Sequence, residues 1–179
     1  MAEEKKEKWL NYLALTTVVL AVCATLSTFK GGNFSTLAVM SQSQASDQWS
    51  YYQAKSIKGY MYEIQKEKLE LELKAMGQKT GKSITEDYEK KIDAYAKKIK
   101  KYEEEKAKIE KDARGLEKVR TDAQRHSKAF GMAVIFLQIA ILLSSISALM
   151  KKKILWLCGG IVGIFGIAYF VNGFFLFIG

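Results

Sequence analysis

The chain has 179 residues, a length suited to one domain, with 49% hydrophobic and 26% charged residues, a formal net charge of +9 and no proline. A water-soluble core does not accommodate both classes at those proportions unless they are segregated, and they are: Trp9 to Phe29, Phe130 to Met150 and Ile154 to Gly179 contain no Asp, Glu, Lys, Arg or His. Of the 28 basic residues, all but Lys5, Lys6, Lys8, Lys151, Lys152 and Lys153 lie between Lys30 and Lys128, where they alternate with acidic residues instead of forming the single-sign patch that nucleic acid requires.

Residues 1–8 form a basic tail, and residues 9–29 a first apolar segment opened by Trp9 and Tyr12, rings suited to headgroup level. A helix of about 21 residues rises about 31 Å, enough for the roughly 30 Å hydrocarbon core. The basic start followed by an apolar run also has the form of a signal peptide, and Leu20-Ala21-Val22-Cys23 approaches a lipoprotein cleavage site. Val22 stands where a smaller residue is expected and the run continues to Phe29, so an uncleaved anchor is the expectation.

Residues 30–129 read as a helical hairpin outside the membrane. Lys30-Gly31-Gly32-Asn33 predicts a stop, 34–76 a first arm and 77–83 a tip. Ser83-Ile84-Thr85-Glu86 has the form of a capping box that opens a second arm over 84–129. In the second arm Tyr88, Ile92, Tyr95, Ile99, Tyr102, Lys106, Ile109, Ala113 and Leu116 recur at alternating four and three residues, the heptad seam of a coiled coil. For the first arm Ile57, Tyr60, Ile64, Leu71 and Ala75 are the expected counterpart, leaving Met61, Tyr62, Leu69 and Leu73 as apolar surface for self-association. Arms of about 65 to 70 Å would pair as a stalk, the second running without interruption into the next apolar segment.

Residues 130–150 are the second apolar segment, 151–153 a basic turn and 154–179 the third. Short basic flanks face the cytoplasm, which puts the tail and the turn on one side and the hairpin and carboxyl terminus on the other. Gly159, Gly163, Gly166 and Gly173 share one face of the third segment and predict close helix packing or an oligomer contact. Hydroxyl and amide side chains within the first two segments, Asn11, Thr16, Thr17, Thr25, Ser27, Thr28, Gln138, Ser144, Ser145 and Ser147, are expected to tie helices together.

Catalytic signatures are weak. Gly77 to Ser83 ends in Gly-Lys-Ser but has three residues between its glycines where a phosphate-binding loop needs four, and it follows a helix. His126 is the one histidine, so neither a metal cluster nor a Ser-His-Asp arrangement can be assembled around it, and an interfacial or exposed position is expected. Cys23 and Cys158 fall in apolar segments, as small hydrophobes do. Trp49, Tyr51 and Tyr52 form a candidate partner surface, set against the simpler expectation that Trp49 and Tyr52 fill the hairpin opposite Arg114 and Leu116.

The run Ala24-Thr25-Leu26-Ser27-Thr28-Phe29-Lys30-Gly31-Gly32, then Ser41-Gln42-Ser43-Gln44-Ala45-Ser46-Asp47-Gln48-Trp49 and Tyr52-Gln53-Ala54-Lys55-Ser56-Ile57-Lys58, resembles the bacterial membrane family catalogued as domain of unknown function 4337. That resemblance implies a bacterial inner-membrane protein and carries over no catalytic residue. The expected fold is all-α: three transmembrane helices with a long antiparallel coiled-coil hairpin between the first and second. The expected function is that of a non-enzymatic, cofactor-free, oligomeric inner-membrane scaffold whose partners are the lipid bilayer, copies of itself and a protein bound through the hairpin. The alternative is an oligomeric channel, or an accessory subunit of a transport complex, with the first apolar segment lining a pore.

Overall fold

A computed structural model describes residues 2–77 and 82–177, with side chains from Lys8 onward. Residues 78–81 of the expected tip, the side chains of Lys5 and Lys6, and the last two residues of the third apolar segment lie outside the described residues. The protein is all-α, with helices α1 (Ala2–Met76), α2 (Lys82–Met150) and α3 (Lys153–Phe175), and no strand occurs among the described residues. Each helix contains a stretch long and apolar enough to cross a membrane, and α1 and α2 fit a hairpin.

Absence of proline and abundance of Ala, Leu, Lys, Glu and Gln explain the length of α1 and α2. The stop expected at Lys30 to Asn33 does not occur, since α1 passes through Gly31 and Gly32 unbroken. Gly31 has another use: a Cβ there would lie 3.1 Å from Cβ of Phe130, and the Gly31 carbonyl accepts a hydrogen bond from Ser127 Oγ at 3.1 Å. Close approach of α2 therefore explains that glycine better than a chain break. A real break comes at Gly77, whose φ of +60° ends α1 in the left-handed conformation that glycine tolerates best. Helix α2 begins at Lys82, so Ser83 lies inside its first turn and not at the capping position the Ser-x-x-Glu pattern predicts.

The chain divides into two compact units, one of Met1–Met40 with Val119–Gly179 and one of Ser41–Lys118. In the first, segments of all three helices pack together around Leu20, Ala24, Ala133, Leu137 and Ala140. Helix α3 follows α2 through a turn in which Lys151 has φ 53°, and the Ser147 hydroxyl donates to the Lys152 carbonyl at 2.8 Å. Trp9 and Trp156 meet at 6.4 Å near this turn, with the Lys153 ammonium 5.8 Å from the Trp9 ring. Most hydroxyls of the apolar segments do not bridge helices. Thr17, Thr25, Ser27, Thr28 and Ser145 each donate to the carbonyl four residues back in their own helix. Thr16 also turns back, to Leu13, and accepts from Trp156 Nε1 at 3.1 Å, which does link α1 to α3.

The second unit consists of two antiparallel arms. Its second arm buries or half-buries Tyr88, Ile92, Tyr95, Ile99, Tyr102, Lys106, Ile109, Ala113 and Leu116, the positions of the heptad. The first arm differs from expectation: Ile57, Tyr60, Ile64 and Leu71 are 61%, 57%, 65% and 65% exposed, and Ala75 is exposed too. Facing inward instead are Ala45, Trp49, Tyr52, Ser56, Gly59, Tyr62, Lys66, Leu69 and Leu73, so of the supposed outer residues only Met61 points out. The second arm carries tyrosines, and a small residue or another ring beside them packs better than a row of Ile. Gly59, where an added Cβ would meet Tyr102 Cβ at 3.9 Å, is one such place.

Candidate functional site

The hairpin unit concentrates aromatic rings and cations in its seam. At one end the Trp49 indole N–H donates to Glu117 Oε1 at 2.9 Å, the Arg114 guanidinium lies 5.9 Å from the indole, and Tyr52 meets it edge-on at 5.6 Å. Arg114 is itself held by Glu110 at 2.8 Å. Trp49 and Tyr52 are thus packed within the hairpin, whereas Tyr51 points outward.

Further along, the Lys55 ammonium sits 2.6 Å from a Glu105 oxygen, 5.1 Å from the Tyr51 ring and 5.4 Å from the Tyr102 ring. The Glu105 hydrogen bond raises Lys55 above the ordinary lysine value, with Tyr51 adding to it, and the Lys55 ammonium lowers Glu105 below the ordinary carboxylate range. Lys106, only 9% exposed, bonds Glu103 at 2.7 Å and approaches the Tyr52 and Tyr60 rings at 5.5 and 5.8 Å. That Glu103 bond raises Lys106, while its burial acts in the opposite sense. Tyr62 stacks near Tyr102 at 5.9 Å and Tyr95 at 5.5 Å, and its hydroxyl accepts from the Lys98 ammonium at 3.3 Å. Near the far end the Tyr88 hydroxyl donates to Glu72 at 3.2 Å; burial, then that carboxylate, raises Tyr88. Cations here are held by carboxylates and ring faces, a contact worth about 0.5–1 kcal/mol each at exposed sites. The arrangement fixes the pairing of the arms, and no group of three His, Cys, Asp or Glu able to hold a metal is found among the described residues.

With the seam filled this way, Ile57, Tyr60, Met61, Ile64 and Leu71 form a second row on the outer face of the first arm. Its spacing is again that of a heptad stripe. The sequence pattern makes this row look like the seam because the true seam contains Ser56, Gly59 and Lys66 and so reads as more polar than the row beside it.

In the three-helix unit four of the five glycines of α3 face inward. An added Cβ would come within 3.1 Å of the Ala140 carbonyl at Gly159, 3.1 Å of Leu20 at Gly163, 2.8 Å of Leu137 at Gly166 and 2.6 Å of the Phe130 ring at Gly173. Gly160, on the other side, has open space. His126 is half-buried, not exposed. Its ring stacks on Phe34 at 4.5 Å, and Nδ1 lies 2.8 Å from the Gly173 carbonyl, an acceptor, so Nδ1 carries the proton and donates. One side chain thereby joins α1, α2 and the last turn of α3, whose carbonyls have no partner within the helix. A single histidine gives no periodic signal that could have disclosed this.

The model of the family described as Domain of unknown function (DUF4337) matches residues 9–176, which takes in both units. The chain belongs to that family. Neither a curated protein nor a solved structure matches it. Membership in DUF4337 attaches no chemistry to Trp49, Lys106 or His126, so their roles rest on the contacts described above.

Proposed function

We propose that the protein is a non-enzymatic membrane scaffold that self-associates through its hairpin. Three helices of the first unit cross the bilayer, the hairpin lies in water as a coiled coil, and copies pack along the outer row of the first arm. The observation that carries this reading is that row: Ile57, Ile64 and Leu71 stay exposed although the inner seam is already filled by other residues. A contiguous apolar stripe on a water-facing helix is a contact surface more often than a free one.

The membrane half is supported by the outward faces of the three-helix unit, where Leu15, Val18, Val22, Ile135, Leu142, Ile161 and Ile164 are exposed in the absence of lipid. Lys8 and the turn Lys151 to Lys153 would face the cytoplasm, with the Trp9 and Trp156 rings at that surface, and the hairpin on the other side of a bacterial inner membrane. In α1 the hydroxyls of Thr17, Thr25, Ser27 and Thr28 turn back to their own helix, which supports a packing role for them over a pore lining.

Native mass spectrometry of the full chain in detergent tests the scaffold. Multimers are expected from the wild type and monomers from the doubly substituted Ile57→Glu/Ile64→Glu; a monomeric wild type refutes self-association. Reproducible unitary currents in planar bilayers would favour a channel instead.

A further inference from the structure

A cavity of about 350 Å³ opens between α2 and α3, with Arg125 and Lys128 at one end and Met132, Tyr169, Asn172 and Leu176 along its walls. Arg125 and Lys128 are three residues apart, so both cations lie on one face of α2. Each is exposed, and neither makes an ion pair among the described residues. Several cations of the hairpin are neutralised locally, Lys55 by Glu105, Lys106 by Glu103 and Arg114 by Glu110, whereas Arg125 and Lys128 are unpaired cations that also border a cavity. Beyond them no charged residue follows in α2, and apart from Asn172 the walls are Ala129, Met132, Tyr169 and Leu176.

The geometry points to a binding site for one anionic phospholipid, its phosphate between Arg125 and Lys128 and an acyl chain against Met132 and Tyr169. Tyr169 lies six residues, about 9 Å, inside the end of α3 at Phe175, so a headgroup and the start of a chain both fit. Two unpaired cations select a net negative headgroup, and a cavity walled by a thioether and a ring accepts an acyl chain. A free phosphate would use the cations alone and leave the apolar wall empty.

This site rests on the membrane reading above, and the test separates the two. The full chain in neutral detergent is titrated with phosphatidylglycerol, with phosphatidylcholine and with inorganic phosphate, and retained adducts are counted by native mass spectrometry. Phosphatidylglycerol should be retained about tenfold more strongly than phosphatidylcholine, with inorganic phosphate failing to compete. Arg125→Gln/Lys128→Gln should abolish that preference, and Met132→Trp, which fills the cavity and keeps both charges, should weaken retention. Lys151→Gln/Lys152→Gln, at the other end of α2, should leave it unchanged. Equal retention of both lipids, an unaffected Arg125/Lys128 variant, or competition by inorganic phosphate overturns the site. If carbonate washing leaves the protein in the membrane and the preference is nevertheless absent, the site alone fails; if washing releases it, the membrane reading fails.

Discussion

The two units hold their helices together by opposite means. In the three-helix unit the contacts are made by removing side chains: glycines at 159, 163, 166 and 173 bring α3 against Leu20, Ala140, Leu137 and Phe130. In the hairpin unit they are made by rings and cations, Tyr62 with Tyr95 and Tyr102, and Lys55, Lys98 and Lys106 over tyrosine faces. The difference is the one the proposed membrane reading requires: lipid offers no hydrophobic drive between helices, so a unit placed there relies on close backbone packing, whereas water rewards apolar ring burial and tolerates lysine stems.

The comparison breaks most visibly at the glycines. Gly173→Ala places a methyl against the Phe130 ring, which is fully buried and has nowhere to move, and should destabilise by about 1–3 kcal/mol, whereas Gly160→Ala, with open space, should raise the melting temperature through helix propensity. Thermal unfolding by circular dichroism in detergent reads both signs. If the two substitutions behave alike, the packing difference between the two faces of α3 is wrong.

Smaller losses are expected from single hydrogen bonds. His126→Phe keeps the stack on Phe34 and removes the donor to the Gly173 carbonyl, which should cost about 1 kcal/mol and speed amide exchange in the last turn of α3. In the hairpin, Trp49→Phe removes the bond to Glu117 and should loosen the arms by a similar amount, about 1 kcal/mol, with faster exchange confined to residues near 49 and 117.

The smallest expected effect is on pH. Glu105 is depressed by Lys55, so its contribution is present above the ordinary carboxylate value and lost as pH falls through its lower folded value. Lys55 is raised, so its contribution survives to high pH and is lost only above the ordinary lysine value. Protection factors of the hairpin amides in the full chain, which correct for the intrinsic slowing of exchange in acid, should therefore fall on acidification below the usual carboxylate range, and Glu105→Gln should flatten that dependence.

These features were unequally legible in the sequence. The second arm announced its seam because Tyr88 to Leu116 keep apolar character at heptad spacing. Its partner did not, since a seam that accommodates tyrosines across from it uses Ser56 and Gly59, and the eye follows Ile57 and Ile64 one residue along. Gly31 and Gly32 read as a break because glycine is a weak helix former, but α2 packing against Gly31 fixes it within a helix whose neighbours are strong formers. His126 and the cavity beside Arg125 arise from contacts between α2 and α3, information that periodicity within one helix does not contain.

The central claim is that two equally exposed surfaces face different solvents. Nitroxide labels placed singly at Ile161 in α3 and at Lys108 in the hairpin, both exposed, allow a direct comparison in reconstituted vesicles by electron paramagnetic resonance. The account predicts that relaxation at 161 responds to oxygen, which concentrates in lipid, and at 108 to a water-soluble nickel chelate. The same response at both positions would contradict it.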